Sequence, residues 1–473
     1  MKNKNIILLL IFLFAIFDSF HANKLVSINE EKDLEITEQT SIVLEKILKK
    51  VLPLSSESIG KATQNNNKDN GTNNSISKKP RLFQGDVVLN PYQAQDLIDQ
   101  VVEKVESAGF DVSEITSETE RRIKRKMDGN MKLTWEFPIL YFVEKEVNGS
   151  IVDEALKLIE LETCITFQRV NSSNLSKAGL RFFSGDGCYS EVGRRFKNTF
   201  QDVSIGKGCE TIGTIQHETM HALGSYHEQS RYDRDKYLKV FLENVEKENE
   251  YNFLKVDLSS AITYDTKYDY GSDMQYSTTA FSRNEKPTML PVEPLYAKTL
   301  GVNNGLSFVD AKLLNSYYCM KKCRRPISCA NGYQNPNDCE RCKCVDGYVG
   351  NRCDKLPPDT EECGVSNLLV LNEKKLLFVV GKKDCIYHIR TTPGKKIKMT
   401  VEVLAYFPAY ENLCDFENSL EIKYLTDKTV TGALLCLFDN STTIISKNDH
   451  VIVHHRSSGD KNGVRLELES IRS

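Results

Sequence analysis

The chain has 473 residues, of which 27% are charged, and a net charge of −3. That length suits about three domains, and the near-neutral balance offers no basic surface for nucleic acid. All 14 cysteines lie beyond residue 160 and their number is even, as in a disulfide framework formed in an oxidising compartment. At the N-terminus, Lys2 and Lys4 precede an apolar run from Ile6 to Phe17 and small or polar residues to Ala22. The run is too short to span a bilayer and reads as a secretory signal over residues 1–22, with a signal anchor as the alternative. No later stretch is apolar enough to cross a membrane, so the expected location is secreted and extracellular.

Residues 23–125 contain no cysteine. Gln64 to Ser77 is Asn-rich and without periodicity, so no packed element is expected there. Tyr92 to Ser107 places Leu97, Ile98, Val101, Val102 and Val105 at helical spacing. Just upstream lies LFQGDVVL, whose Gly85-Asp86 pair read alone is a turn. Arg121 to Lys126 reads RRIKRK. It is either a solvated basic patch or, through Arg122 to Arg125, the R-x-K-R form cut by furin-like convertases.

The densest signal follows. Thr214 to Asp235 contains His217, Glu218, His221, Gly224 and His227 in the spacing H-E-x-x-H-x-x-G-x-x-H. Residues four apart on a helix are separated by about 400°, so His217 and His221 share one face. Gly224 can adopt positive φ, end the helix and return the chain, bringing His227 towards the same point. Three neutral imidazoles with one open position suit a catalytic zinc ion, and Glu218 is placed to take a proton from attacking water. An amphipathic helix with surface histidines is the bland alternative, but only 8 histidines occur in the whole chain.

His227 is followed by Glu228, Arg231, Asp233, Arg234 and Asp235, and downstream comes YDYGSDMQY from Tyr268 to Tyr276. With the zinc motif, these residues resemble the astacin family of metzincin metalloproteases over roughly residues 126–319. The resemblance implies an α/β catalytic domain: a twisted sheet and two helices above a cleft, and a mostly irregular lower half. It implies one zinc ion, Met274 as an apolar floor beneath it, and Tyr276 as a group that stabilises the transition state. The family pattern Met-His-Tyr is Met274-Gln275-Tyr276 here, which points to altered substrate contacts. Phe83, Gly85 and Asp86 match the F-x-G-D motif of astacin propeptides, making residues 23–125 a propeptide and Asp86 the zymogen zinc ligand. Cleavage after Arg125 would free an amine at Lys126 as the partner of Glu228. The resemblance also implies disulfides Cys164–Cys319 and Cys188–Cys209. The Arg that reads acidic substrates in many astacins is missing from Gly301 to Gly305.

Cys323, Cys329, Cys339, Cys342, Cys344 and Cys353 follow closely, and CVDGYVGNRC resembles the last loop of an EGF-like module, assigned to residues 320–357. So small a module needs bridges to fold. Cys363, Cys385, Cys414 and Cys436 form two equally spaced pairs among segments of strand periodicity. Residues 363–473 therefore resemble a CUB domain, a β-sandwich used for binding protein partners. Calcium there is a possible second metal, near Cys414-Asp415-Phe416-Glu417. Asn148, Asn171, Asn174 and Asn440 head glycosylation sequons. The expected function is a secreted zinc metalloendopeptidase acting on extracellular proteins. The alternative is an inactive extracellular binding or adhesion protein working through its last two modules.

Overall fold

The computed structural model describes residues 31–51, 81–115, 133–257 and 261–472. The apolar N-terminal run, the Asn-rich stretch and the basic run with Arg125 and Lys126 lie outside the described residues. Among the described residues no helix is long and apolar enough to cross a membrane.

Residues 31–51 form a helix (α1) that the reading above did not expect, although Ile36, Thr40, Val43, Leu44 and Ile47 are buried along one face. The expected second helix, α2, spans Pro91–Ser107. Asn90 caps it: Oδ1 accepts from the N–H groups of Tyr92 and Gln93, and Gln93 Oε1 accepts from Asn90 N–H. Between the helices the chain turns sharply. Phe83 and Val87 exchange backbone hydrogen bonds of 3.0 and 2.9 Å, with Gln84 at φ 51° and Gly85 at φ 82°. The following strand, β1 (Val87–Val88), pairs parallel to β5 (Cys188–Glu191).

That pairing makes β1 one edge strand of a six-stranded sheet ordered β1-β5-β6-β4-β2-β3. Strands β2 (Ile139–Val143), β3 (Phe167–Arg169), β4 (Gly179–Phe183) and β6 (Phe200–Ile205) run parallel, while β5 is antiparallel to β6. Every residue of β6 is buried, which fits a strand covered on both faces. Helices α3 (Gly149–Glu162) and α4 (Ile212–Ala222) meet through Gln216, whose amide donates to Ala155 O at 2.9 Å. The lower half is mostly 3₁₀ turns, with one short antiparallel pair of β7 (Leu238–Val240) and β8 (Met289–Pro291). Helix α5 (Phe308–Tyr318) closes it.

Both implied disulfides are present, Cys164–Cys319 and Cys188–Cys209. Three more bridges, Cys323–Cys339, Cys329–Cys342 and Cys344–Cys353, pin the short hairpin of β9 (Gly332–Gln334) and β10 (Cys342–Cys344). Residues from 363 onward form a β-sandwich of two sheets. One is ordered β11 (Asn367–Leu369), β13 (Asp384–Arg390), β19 (His450–Arg456), β15 (Ser419–Lys423), β16 (Ala433–Leu435). The other is ordered β12 (Lys375–Val380), β20 (Gly463–Arg472), β14 (Lys395–Tyr406), β17 (Leu437–Asp439), with β18 (Thr443–Ile445) on β14. Cys363–Cys385 and Cys414–Cys436 are bridged. All four sequon asparagines are exposed.

Candidate active site

Helix α4 starts where Thr211 Oγ1 accepts from Thr214 N–H, and Leu223 caps its C-terminus. Gly224 then adopts φ 106°, and Ser225 N–H donates to Met220 O at 2.9 Å, so the chain doubles back as expected. The three imidazoles converge: His217 and His227 Nε2 lie 3.3 and 3.2 Å from Asp86 Oδ2, and His221 Nε2 lies 3.6 Å from Oδ1.

The outer ring nitrogens settle the tautomers. His217 Nδ1 donates to Asp273 O at 2.7 Å, His221 Nδ1 to Ser225 O at 2.8 Å, and His227 Nδ1 to Gln84 Oε1 at 2.8 Å. These acceptors can only accept, so the Nδ1 atoms carry the protons and the Nε2 lone pairs face inward. Asp86 Oδ1 and His221 Nε2 are buried without a hydrogen-bond partner. Lone pairs crowded together in a buried place are costly unless a cation lies among them, and three imidazoles with a carboxylate match zinc's tetrahedral preference. Burial lowers His221 and takes His227 down to about 4, keeping both rings neutral. Burial also pulls on His217, but the hydrogen bond and charge of Asp86 outweigh it and hold this ring up at about 10.

Glu218 is 1% exposed and its Oε2 has no hydrogen-bond partner. Burial raises its pKa well above the usual carboxylate range, against the pull of His217. Met274 is buried in the same apolar core as Ile215, Met220 and Ala222 of α4, and its carbonyl accepts from Glu228 N–H at 2.8 Å. Asp310 holds the turn before it, accepting from Ser272 Oγ at 2.7 Å and Asp273 N–H at 2.9 Å. The Tyr276 ring stands 4.7 Å from His227, and its phenol donates to Gln84 O.

Two details depart from the sequence reading. Gln275 is buried, accepting from Tyr268 OH and donating to Tyr276 O at 3.0 Å, so it does not face the cleft as expected of a substrate contact. Glu228 already has partners, Arg231 Nη1 at 3.1 Å and Asp269 N–H at 2.9 Å, so a new amine would not be its first cation. Gly85 is needed for its φ and for Phe281, whose Cζ would lie 2.6 Å from an added Cβ. Sequence reasoning missed Gln84, which touches both His227 and Tyr276. Its place beside Gly85-Asp86 was the only signal available. Asp415 Oδ1 accepts from Glu417 N–H, and Glu417 from Asn304. Among the described residues no second group of three or more His, Cys, Asp or Glu converges as a metal site there.

The sequence profile of the peptidase family described as Astacin matches residues 127–319. The chain is 35% identical over 396 residues to zinc metalloproteinase nas-34 of Caenorhabditis elegans, covering 82% of this chain and 64% of that protein. It is 31% identical over 411 residues to nas-37 of the same organism, covering 85% of this chain and 50% of that one. The chain therefore spans between half and two thirds of the length of these two relatives. Against zinc metalloproteinase nas-36 of Brugia malayi the identity is 31% over 421 residues, covering 83% and 71% of the two chains. Among solved structures, the medaka (Oryzias latipes) hatching enzyme HCE-1, a zinc-protease, matches with 34% identity. That match covers 39% of this chain and 94% of the other at a TM-score of 0.36. With the zinc motif folded as its spacing requires, and a relative matched over most of both lengths, the chain belongs to the astacin family.

Proposed function

We propose that this chain is a zinc metalloendopeptidase of extracellular proteins, made as a latent zymogen. The observation that carries the reading is the convergence of His217, His221 and His227 on Asp86, with each Nδ1 proton turned outward. Bound zinc supplies the Lewis acidity that activates water near neutral pH and polarises the scissile carbonyl. Glu218 takes the water's proton and returns it to the leaving amine, and its raised pKa suits a group that must hold a proton in mid-reaction. Tyr276, once released by Gln84, donates to the oxyanion as it forms. In the uncut chain, Asp86 fills the position that water needs.

The organisation that goes with this reading is a signal over residues 1–22, a propeptide over 23–125 and a catalytic domain over 126–319. An EGF-like module over 320–357 and a CUB domain over 363–473 follow, the latter meeting protein partners. Activation is cleavage after Arg125 by a furin-like protease in the secretory pathway. The exposed Asn148, Asn171, Asn174 and Asn440 are available for glycosylation there. The test is hydrolysis of casein by the form beginning at Lys126, with and without a chelator. Glu218→Gln should lower turnover by about 10²- to 10⁴-fold while zinc content stays stoichiometric. Near wild-type turnover in that variant would overturn the assignment of the general base.

A further inference from the structure

In the uncut chain Tyr251 grips three successive prosegment residues. Its phenol donates to Leu82 O at 3.0 Å, its ring stacks on Phe83 with centroids 6.5 Å apart at 22°, and Arg81 Cζ lies 5.1 Å from the ring centroid. Arg81 also donates to Glu248 O at 2.6 Å. The next residue, Gln84, already touches Tyr276 and His227. With at most about 3.6 Å of chain per residue, Phe83 therefore lies within a few residues' reach of the catalytic groups. Both rings are 1% exposed. They belong to a cluster whose other fully buried members come from the prosegment, apart from Val192, with Tyr226 and Leu254 packed at its margin. When residues 31–115 leave, Tyr251 and Val192 lose that cover.

We infer that Tyr251, with Val192 and Leu254, forms a subsite that selects a bulky aromatic side chain of the substrate, the place Phe83 fills in the uncut chain. This rests on the peptidase reading. The neighbouring wall is apolar as well: Phe281 stands beside Gly85 and packs on Tyr276 and Phe253, with ring centroids 5.8 and 6.2 Å apart. No Arg occurs from Gly301 to Gly305 to draw an acidic residue instead. An aromatic occupant gains both the buried area and the ring–ring geometry that a glycine forgoes.

Two measurements on the form beginning at Lys126 decide it. In the first, otherwise identical peptides carry Phe, Leu, Asp or Gly at each position within three residues of the cut. The Phe-to-Gly ratio of kcat/KM should reach roughly tenfold or more at one position. Tyr251→Ala should bring that ratio towards one, mainly through KM, and Tyr251→Phe should keep it. In the second, calorimetry follows binding of a peptide of residues 81–89. Phe83→Ala in the peptide, or Tyr251→Ala in the protein, should each weaken binding about tenfold. A flat ratio at every position, or an aromatic preference that survives Tyr251→Ala, would overturn the subsite. Failure to cut casein at all would overturn the peptidase reading, and the binding measurement would then decide the subsite alone.

Discussion

On the zymogen reading proposed above, Asp86 would do what a bulky residue could not, sharing one metal ion with the three imidazoles that converge on it. Gln84 adds a second restraint, accepting from His227 Nδ1 through its side chain and from the Tyr276 phenol through its carbonyl. Asp86→Ala should therefore give an uncut precursor whose hydrolysis rises about tenfold or more above wild-type background, since loss of a ligand opens the metal to water. The measurement is peptide turnover by precursors at matched concentration, with Arg125→Ala in both to prevent cleavage. Equal latency would mean that the prosegment blocks by bulk. At this scale the sequence was most legible in the histidines, because the i, i+4 spacing and Gly224 dictate geometry with little help from the rest of the fold. The partners of their outer nitrogens were not legible. Two are backbone carbonyls, of Asp273 and Ser225, which no side-chain pattern encodes. The third, Gln84, lies 143 residues away in sequence.

Elements show the same division. Helix α2 declares itself through apolar spacing, though its Asn90 cap went unread, and the strands of the sandwich through alternation, as in β12, where Leu377 and Val379 are buried between exposed neighbours. The pairing of the EGF-like cysteines follows from the packing of the hairpin and was not readable from spacing. Nor was the junction of that module with the sandwich. There His388 Nε2 donates to Gly347 O at 2.8 Å and Nδ1 lies 3.0 Å from His450 Nε2, the rings being stacked within 8°. Burial, with the charges of Lys428, His388 and Arg390, pushes His450 down to about 3. A depressed base gives stability that is present above its unfolded pKa of about 6.5 and lost as pH falls towards the folded value. Between pH 6.5 and 4 the wild-type chain should lose on the order of 2 kcal/mol from this residue. His450→Phe should flatten that acid limb in thermal melts; an unchanged limb would show that other groups set it.

Across the whole molecule, the sandwich docks on the lower half of the catalytic module through a continuous apolar core that joins Tyr270, Met289 and Tyr296 to Tyr424 and Leu434. Polar contacts fix the register. Asp269 accepts from Thr431 N–H at 2.9 Å and from its hydroxyl at 3.2 Å, and Leu434 N–H donates to Thr299 Oγ1 at 2.9 Å. Glu293 accepts from Tyr424 OH at 3.0 Å and pairs with Lys447 at 2.7 Å. Asp269 also donates its N–H to Glu228, next to the third histidine, so this interface backs directly onto the site. Thr431→Val leaves a buried carboxylate short of one donor and should cost about 1–3 kcal/mol. Melting temperature and turnover should fall together, and a variant with both unchanged would show that the docking is incidental to catalysis. None of this contact was visible in sequence, since complementarity between two folded surfaces has no local pattern.

The prosegment's strand at the sheet edge carries one more implication. While the chain is whole, residues 81–115 are tethered to the surface they cover, so their local concentration is fixed however dilute the protein becomes. If the zymogen reading holds, a single cut between residues 115 and 133 would turn them into a separate inhibitor whose hold falls with dilution. The same molecule would then stay restrained where it is crowded, as in a secretory vesicle, and become active where it is sparse.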